Sequence, residues 1–449
     1  MRIRFGDCTF DSASRTLERA GERVRISGKA FQLLEHLLAA RPNPIAKEEL
    51  FAKLWPDTFV SDANLASLVK EIRAAIGDDA RAPRYIRTVH RFGYAFSGAV
   101  QTDESTTAVT AVGGPELDTL TESLMNTLAA IDGLRRRKRY TQNAAVYQLY
   151  LKGRHHWNRR TAEGIERAMA LFEEALARDP SYAPAYAGLA DSYIALASRD
   201  LEPPLQLFPR AEEAARRALE LDGELAEAHA SMAAIHEVFH WDWPRAEASY
   251  LAALRLNPGY VTGRVWYALA LAHRARFTAA HAQMSIATES DPLSFHLNAN
   301  HAVIHYLARE YDAGEELCHR ALEINPHHEP AHFTLGLLHQ QRGRIAEAAE
   351  SLAKALSISR GEPHALAALG ALERNRARLD ELEALSRTRE VSAVHFATVH
   401  VALGEHERAL DCLDRAEAAR SGWLVYLRTE PRLDPLREEP RFQELLSRF

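Results

Sequence analysis

Between Asn64 and Arg91 the chain sets out side chains suited to recognition by hydrogen bonds and charge. Asn64, Ser67, Lys70, Glu71 and Arg73 come first, and Arg84, Arg87, Thr88, His90 and Arg91 follow. Asn can pair with the edge of adenine, Glu can accept from the amino group of cytosine, and Ala can touch a thymine methyl. Lys and Arg suit phosphate. No comparable grouping suggests bond-making. There is no GxxxxGK[ST], no GxSxG, no HExxH and no glycine-rich loop after a strand, so neither a nucleophile nor a phosphate cradle is expected. His155-His156, His327-His328, His332 and His339 are read as packing or surface residues. His328 and His332 straddle the start of a helix near Glu329 rather than sharing one face. On this reading the chain is not an enzyme, takes no cofactor and holds no metal.

The recognition residues need elements to hold them. Leu65, Leu68, Val69, Ile72 and Ile76 repeat at helical spacing and predict one core face on a helix over 62–76. Asp62 is placed to cap it. A helical wheel then turns Ala63, Ser67, Lys70 and Ala74 outward, with Asn64 and Glu71 on one flank and Arg73 on the other. Tyr85-Ile86-Arg87-Thr88-Val89, a turn at His90–Gly93, and Tyr94-Ala95-Phe96 predict a basic hairpin. Upstream, residues 1–26 alternate in short β-like runs. A helix opens at Ser27-Gly28-Lys29, carries Phe31, Leu34, Leu37 and Leu38, and stops at Pro42 and Pro44. A second holds Leu50, Phe51 and Leu54 and ends at Trp55-Pro56. The loop Asp57–Ser61 leads to the third.

Of 449 residues, 47% are hydrophobic, enough for sizeable cores. The net charge of −6 is uneven. Residues 1–98 hold 16 Lys and Arg against 12 Asp and Glu, or +4, which leaves −10 for the rest. A basic head on an acidic body fits a nucleic-acid-binding head. Cys8, Cys318 and Cys412 form no disulfide pattern, which suits a reducing cytoplasm. The start lacks the apolar run of a signal peptide, and no apolar stretch is long enough to span a membrane. Residues 99–142 read as a polar linker with a helical stretch near Glu116–Leu134 and a basic run, Arg135–Arg139.

From residue 143 onward a repeat dominates. Pro258, Pro292 and Pro326 are 34 residues apart, each after Asp or Asn. Pro180 to Pro258 is 78, two units with about ten extra residues near Arg199–Pro209, and Gly223 stands at the intermediate boundary. Small residues recur at fixed offsets: Ala190, Ala233, Ala268, Ala302 and Gly336; Ala280, Gly314 and Ala348; Ala175, Ala218, Ala253, Ala287, Ala321 and Ala355. They let paired helices approach, while Phe172, Tyr250, Met284 and Leu352 fill gaps. The period and pattern resemble the tetratricopeptide repeat (TPR), a helix-turn-helix unit. Seven to eight units are expected over 143–420, one degenerate near Pro363–Glu390. Trp423–Phe449 is expected to cap the last core face.

The head carries a resemblance of its own. It rests on Phe31-Gln-Leu-Leu, Glu49-Leu50 through Leu54-Trp55, Val60-Ser-Asp-Ala-Asn64-Leu65, Ile72-Arg73-Ala-Ala-Ile76-Gly77-Asp78, and Tyr85-Ile86-Arg87-Thr88-Val89 ending Gly93-Tyr94-Ala95-Phe96. With the order strands, helix, helix, loop, helix, hairpin, residues 3–97 resemble the winged-helix DNA-binding domain of OmpR-type transcription regulators. The resemblance implies a third helix in the major groove and a wing on the minor groove. It implies that the loop with Trp55, Asp57, Thr58 and Phe59 contacts RNA polymerase, and that a homodimer binds DNA. The domain stands first here, with no phosphoacceptor domain, so phosphoryl control is not expected.

The expected fold is therefore mainly α: an N-terminal α+β winged helix-turn-helix (1–98), a linker (99–142) and a TPR α-solenoid with a capping tail (143–449). The expected function is a cytoplasmic, sequence-specific, DNA-binding transcription activator. Its partners would be double-stranded DNA, RNA polymerase, and a protein, peptide or small effector on the concave TPR face, with no membrane. The alternative is a TPR interaction scaffold whose winged helix does not bind DNA.

Overall fold

Two-residue alternation at the start builds four short antiparallel strands of a five-stranded sheet: β1 (Arg2–Phe5), β2 (Cys8–Asp11), β3 (Thr16–Arg19) and β4 (Glu22–Val24). Ile3, Phe5, Cys8, Phe10 and Leu17 face the core and are buried. The computed structural model describes residues 2–12, 14–24, 26–54, 62–79, 83–89, 92–98, 100–102, 143–199, 201–291, 294–359 and 361–449. The chain divides into two compact units, Met1–Arg137 and Lys138–Phe449.

In the first unit α1 (Gly28–Ala40) is capped by the Ser27 hydroxyl, which accepts from the Ala30 N–H. A two-residue strand, β5 (Ile45–Ala46), leads into α2 (Lys47–Leu54) and then α3 (Asp62–Ile76). The hairpin follows as β6 (Ile86–Val89) and β7 (Gly93–Phe96), and β5 pairs on β7 to make three strands. Gly93 is required there, because a Cβ would lie 1.9 Å from the Ile45 carbonyl oxygen. The third helix and the hairpin fall where the periodicity put them. β5 was not foreseen, since two residues carry no readable alternation. β8 (Gln101–Thr102) was assigned to the linker for its polarity, yet it pairs antiparallel with β1.

The second unit is built of helix pairs: α4 (Ala144–Trp157) with α5 (Ala162–Arg178), α6 (Ala183–Ala197) with α7 (Pro204–Leu221), α8 (Ala226–Ile235) with α9 (Trp243–Leu256), and α10 (Val261–His273) with α11 (Phe277–Ser290). Then come α12 (Phe295–Leu307) with α13 (Tyr311–Ile324), α14 (Glu329–Gln341) with α15 (Ile345–Ile358), α16 (Pro363–Glu373) with α17 (Ala377–Ser386), and α18 (Ala393–Ala402) with α19 (His406–Ala418). Asp179, Asn257, Asp291 and Asn325 stand directly after helix ends, as the repeat pattern requires. The small residues at fixed offsets are buried between helices. At Gly336 a Cβ would come within 2.6 Å of Leu352, so the filler residue and the gap are matched.

The period also shows how insertions are absorbed. Between α8 and α10 the starts are 35 residues apart rather than the 34 seen from α10 to α12. The extra residue is taken up by a π turn, His236–His240, at the end of α8. The longer insertion near Arg199 is taken up by a loop and by α7, the longest helix among the described residues. Three first helices are tied together by a buried polar group. Arg154 of α4 donates to Asp191 of α6 at 2.7 Å, and Ser231 of α8 donates to the same carboxylate at 2.8 Å.

Candidate nucleic-acid interface

Leu65, Leu68, Val69, Ile72 and Ile76 anchor α3 in the head's core and fix its outer face. Ala66, Lys70 and Ala74 are exposed along that face, while Asn64 and Ser67 are half-buried. The helix ends at Gly77, whose φ of +67° suits glycine, and the Asp78 N–H donates back to the Arg73 carbonyl at 2.8 Å. This turn aims the Asp78 carboxylate at the wing. It accepts from the backbone N–H groups of Arg84 (2.6 Å), Tyr85 (3.3 Å) and Ile86 (2.9 Å). Asp78 thus sets the entry of the wing relative to the helix. The sequence motif contained it, but its role was not foreseen. Phe5, Tyr85 and Phe96 pack edge-on and stacked beneath, with centroids 5.0–6.0 Å apart. On the wing Arg84, Arg87 and Thr88 are exposed, and Arg84 lies over the Tyr85 ring at 5.4 Å.

Two of the expected contact residues have partners within the head. Glu71 was expected to read a base edge. Its carboxylate instead accepts the Ser27 backbone N–H at 2.6 Å and the Ser27 hydroxyl at 2.9 Å, which locks α3 to the start of α1. Releasing it would leave the Ser27 N–H without this partner. Arg73 was expected on phosphate. Its guanidinium donates to the Ile86 carbonyl at 2.9 Å and the Thr88 hydroxyl at 3.2 Å, so it braces the wing. Lys70, Arg84 and Arg87 remain outward. Trp55, Asp57, Thr58, Phe59, His90, Arg91, the stretch near Glu116–Leu134 and the Arg135–Arg139 run lie outside the described residues.

Residues 21–96 match the family described as transcriptional regulatory protein, C terminal, and residues 305–372 match the tetratricopeptide repeat family. The head is an OmpR-type winged helix. Residues of this domain are 34% identical over 89 positions to the transcriptional regulatory protein PcoR of Escherichia coli, covering 20% of this chain and 39% of that protein. They are 32% identical over 102 positions to the cholera toxin transcriptional activator of Vibrio cholerae, covering 21% of this chain and 34% of that protein. The chain therefore spans well under half the length of these curated relatives. Among solved structures, the Klebsiella pneumoniae RstA DNA-binding domain in complex with the RstA box is 28% identical, covers 21% of this chain and 96% of that one, and has a TM-score of 0.20.

In the TPR body the tail was expected to cap the last core face. It does so, with Leu424, Leu433 and Phe442 packed on Leu410 and Leu413 of α19. It also reaches far back. Gly422 lies so close to the Ser198 backbone after α6 that a Cβ would sit 2.4 Å from its carbonyl oxygen. Arg420 lies over the Trp241 ring at 3.7 Å, and Tyr426 meets His273 of α10 at 4.5 Å. Glu430 accepts from the Tyr306 hydroxyl of α12 at 2.5 Å, and Arg309 holds Asp434 at 2.7 and 2.8 Å. Trp423 packs on His364 of α16 and His395 of α18. One short segment thus touches residues of several successive pairs.

Proposed function

We propose that this chain is a sequence-specific DNA-binding transcription regulator acting as an activator, with a TPR body that binds a protein, peptide or small effector. The observation that carries the reading is the outer face of α3 in an OmpR-type domain. Exposed Ala66, Lys70 and Ala74 form a strip of mostly small side chains beside a wing with exposed Arg84 and Arg87. A strip of small residues can approach the floor of a major groove, and flanking cations can hold phosphates.

In this reading Asn64 and Ser67 contact base edges. Lys70, Arg84, Arg87 and Arg91 neutralise phosphates, with Thr88 and His90 as further contact residues. Glu71 and Arg73 position the helix and the wing. Few side chains read bases directly, so DNA shape and paired half-sites carry much of the specificity. A homodimer would supply the pairing, and the loop with Trp55, Asp57, Thr58 and Phe59 would meet RNA polymerase. The similarity to the cholera toxin transcriptional activator supports activation as the outcome. In this reading the chain would act in the cytoplasm, where the DNA is. No helix among the described residues is long and apolar enough to cross a membrane. No catalytic step is assigned.

The inward turn of Glu71 and Arg73 favours one rival, a winged helix that serves as a protein-binding module on a TPR scaffold. A gel shift of the full chain on pooled genomic fragments at low salt separates the two. Retarded, sequence-selective fragments support the regulator. No retarded DNA supports the scaffold and overturns the proposal.

A further inference from the structure

Three histidines of the TPR body converge where α11 meets α12. His281 lies in the first turns of α11. His301 and His305 are four residues apart on α12 and so share one face. One ring nitrogen from each lies within 4.8 Å of the other two. His281 Nδ1 is 3.0 Å from His301 Nε2, and the three ring centroids are 4.4–5.3 Å apart. The exposed Glu310, just before α13, turns its carboxylate into the group. Its Oε2 lies 2.6 Å from His305 Nδ1 and 3.1 Å from His281 Nε2. The Glu310 N–H donates to the His305 carbonyl at 2.8 Å, which fixes the turn that presents this carboxylate.

We propose that His281, His301, His305 and Glu310 form a binding site for a first-row divalent cation, with zinc the ion that fits best. Three imidazole nitrogens and one carboxylate oxygen are a normal tetrahedral zinc donor set. The donors already lie close together, and tetrahedral ligands at about 2.0–2.1 Å from zinc need only small ring rotations to gather around one ion. His281 Nε2 is buried without a directed hydrogen bond, although Glu310 is close. A buried ring nitrogen and a carboxylate oxygen that face each other this closely suit a shared cation. All three rings keep partial exposure, so an ion has a way in. The bound ion would clamp α11, α12 and the start of α13, which belong to two successive repeats. This proposal does not depend on the head binding DNA.

The test uses the untagged full-length chain, stripped with a chelator and titrated with zinc or with cobalt(II) as a spectroscopic probe. The expected result is one zinc per chain by elemental analysis, a tetrahedral cobalt spectrum, and a higher thermal midpoint with metal. His301→Ala with His305→Ala should abolish that zinc. If this variant does not fold, Glu310→Gln serves instead, because its side chain is half exposed. It should weaken zinc by at least roughly the 10–100-fold that even an outer-shell partner contributes, while His332→Ala leaves binding unchanged. No zinc on the native chain overturns the site. So does equal zinc on the native chain and on whichever of the two variants folds.

Discussion

Ser27 donates both its backbone N–H and its hydroxyl to the Glu71 carboxylate, at 2.6 and 2.9 Å, across 44 residues of chain. The same hydroxyl accepts from Ala30. Glu71 is therefore the point at which α3 is fastened to the start of α1. Removing the carboxylate strands these donors, so Glu71→Ala should destabilise the head by about 1–3 kcal/mol. A chemical denaturation curve on the full chain reads the effect in its head transition. A double-mutant cycle with Ser27→Ala should show coupling; additive changes would contradict the link.

Asp78 gives the second prediction. Three backbone N–H groups of Arg84, Tyr85 and Ile86 converge on a side chain that is fully buried. Asp78→Ala leaves those groups without this partner and should cost on the order of 2–4 kcal/mol, with charge-assisted bonds at the upper end of the usual range. Amide hydrogen exchange should rise at residues 84–86 before it rises in α1. Unchanged exchange there would show that something else holds the wing.

Glu362 gives a pH dependence. Burial opposes its ionisation, but His364 and Arg199, at 3.3 and 3.0 Å, hold its pKa down to about 2 from an ordinary value of 4.5. A depressed carboxylate contributes stability that is fully present above 4.5 and is lost as the pH falls towards 2. His364 moves the other way. Burial disfavours its charge, yet Glu329 at 2.8 Å and Glu362 raise its pKa above 6.5. Its contribution is fully present below 6.5 and fades as the pH rises through the raised value. The stability gap between the native chain and Glu362→Gln should thus be largest between about pH 4.5 and 6.5 and should narrow on both sides. Urea midpoints measured across this range check it; a gap independent of pH would contradict it.

The tail gives the fourth. Deleting residues 419–449 removes Trp423, Tyr426 and Glu430 from His364, His273 and Tyr306 and strips the last pair of its apolar cover. The truncated chain should bind a hydrophobic dye more strongly and melt at a lower temperature. A milder variant, Glu430→Gln, keeps the apolar cover but unbalances the buried Arg432 beside it. It should cost on the order of 3–5 kcal/mol, the usual effect of breaking a buried ion pair. Melting temperatures equal to that of the native chain would show that the tail seat is not a stabilising contact.

Much of this fold was legible because it is written in short periods. Five apolar residues at helical spacing placed α3, and alanines at fixed offsets placed the paired helices. Contacts set by distant partners were not legible. Glu71 and Arg73 sit on the flanks of the wheel, and either could have faced outward. Ser27 and Ile86 turn them inward, and no local pattern reports that. The tail's partners, from Ser198 to His395, become neighbours only once the repeats curve. The four-residue spacing of His301 and His305 was visible, but His281 joins them only when α11 packs on α12.

Salt dependence of DNA binding tests the central claim most directly. Fluorescence anisotropy on a selected duplex should give a log–log plot of affinity against salt with a steep negative slope. Lys70→Ala with Arg87→Ala should weaken binding to every duplex tested and should flatten the slope by about 0.9 for each phosphate no longer neutralised, or about 1.8 in all. An unchanged slope in the double variant, with the fold intact, would contradict the claim that this face of the head lies on DNA.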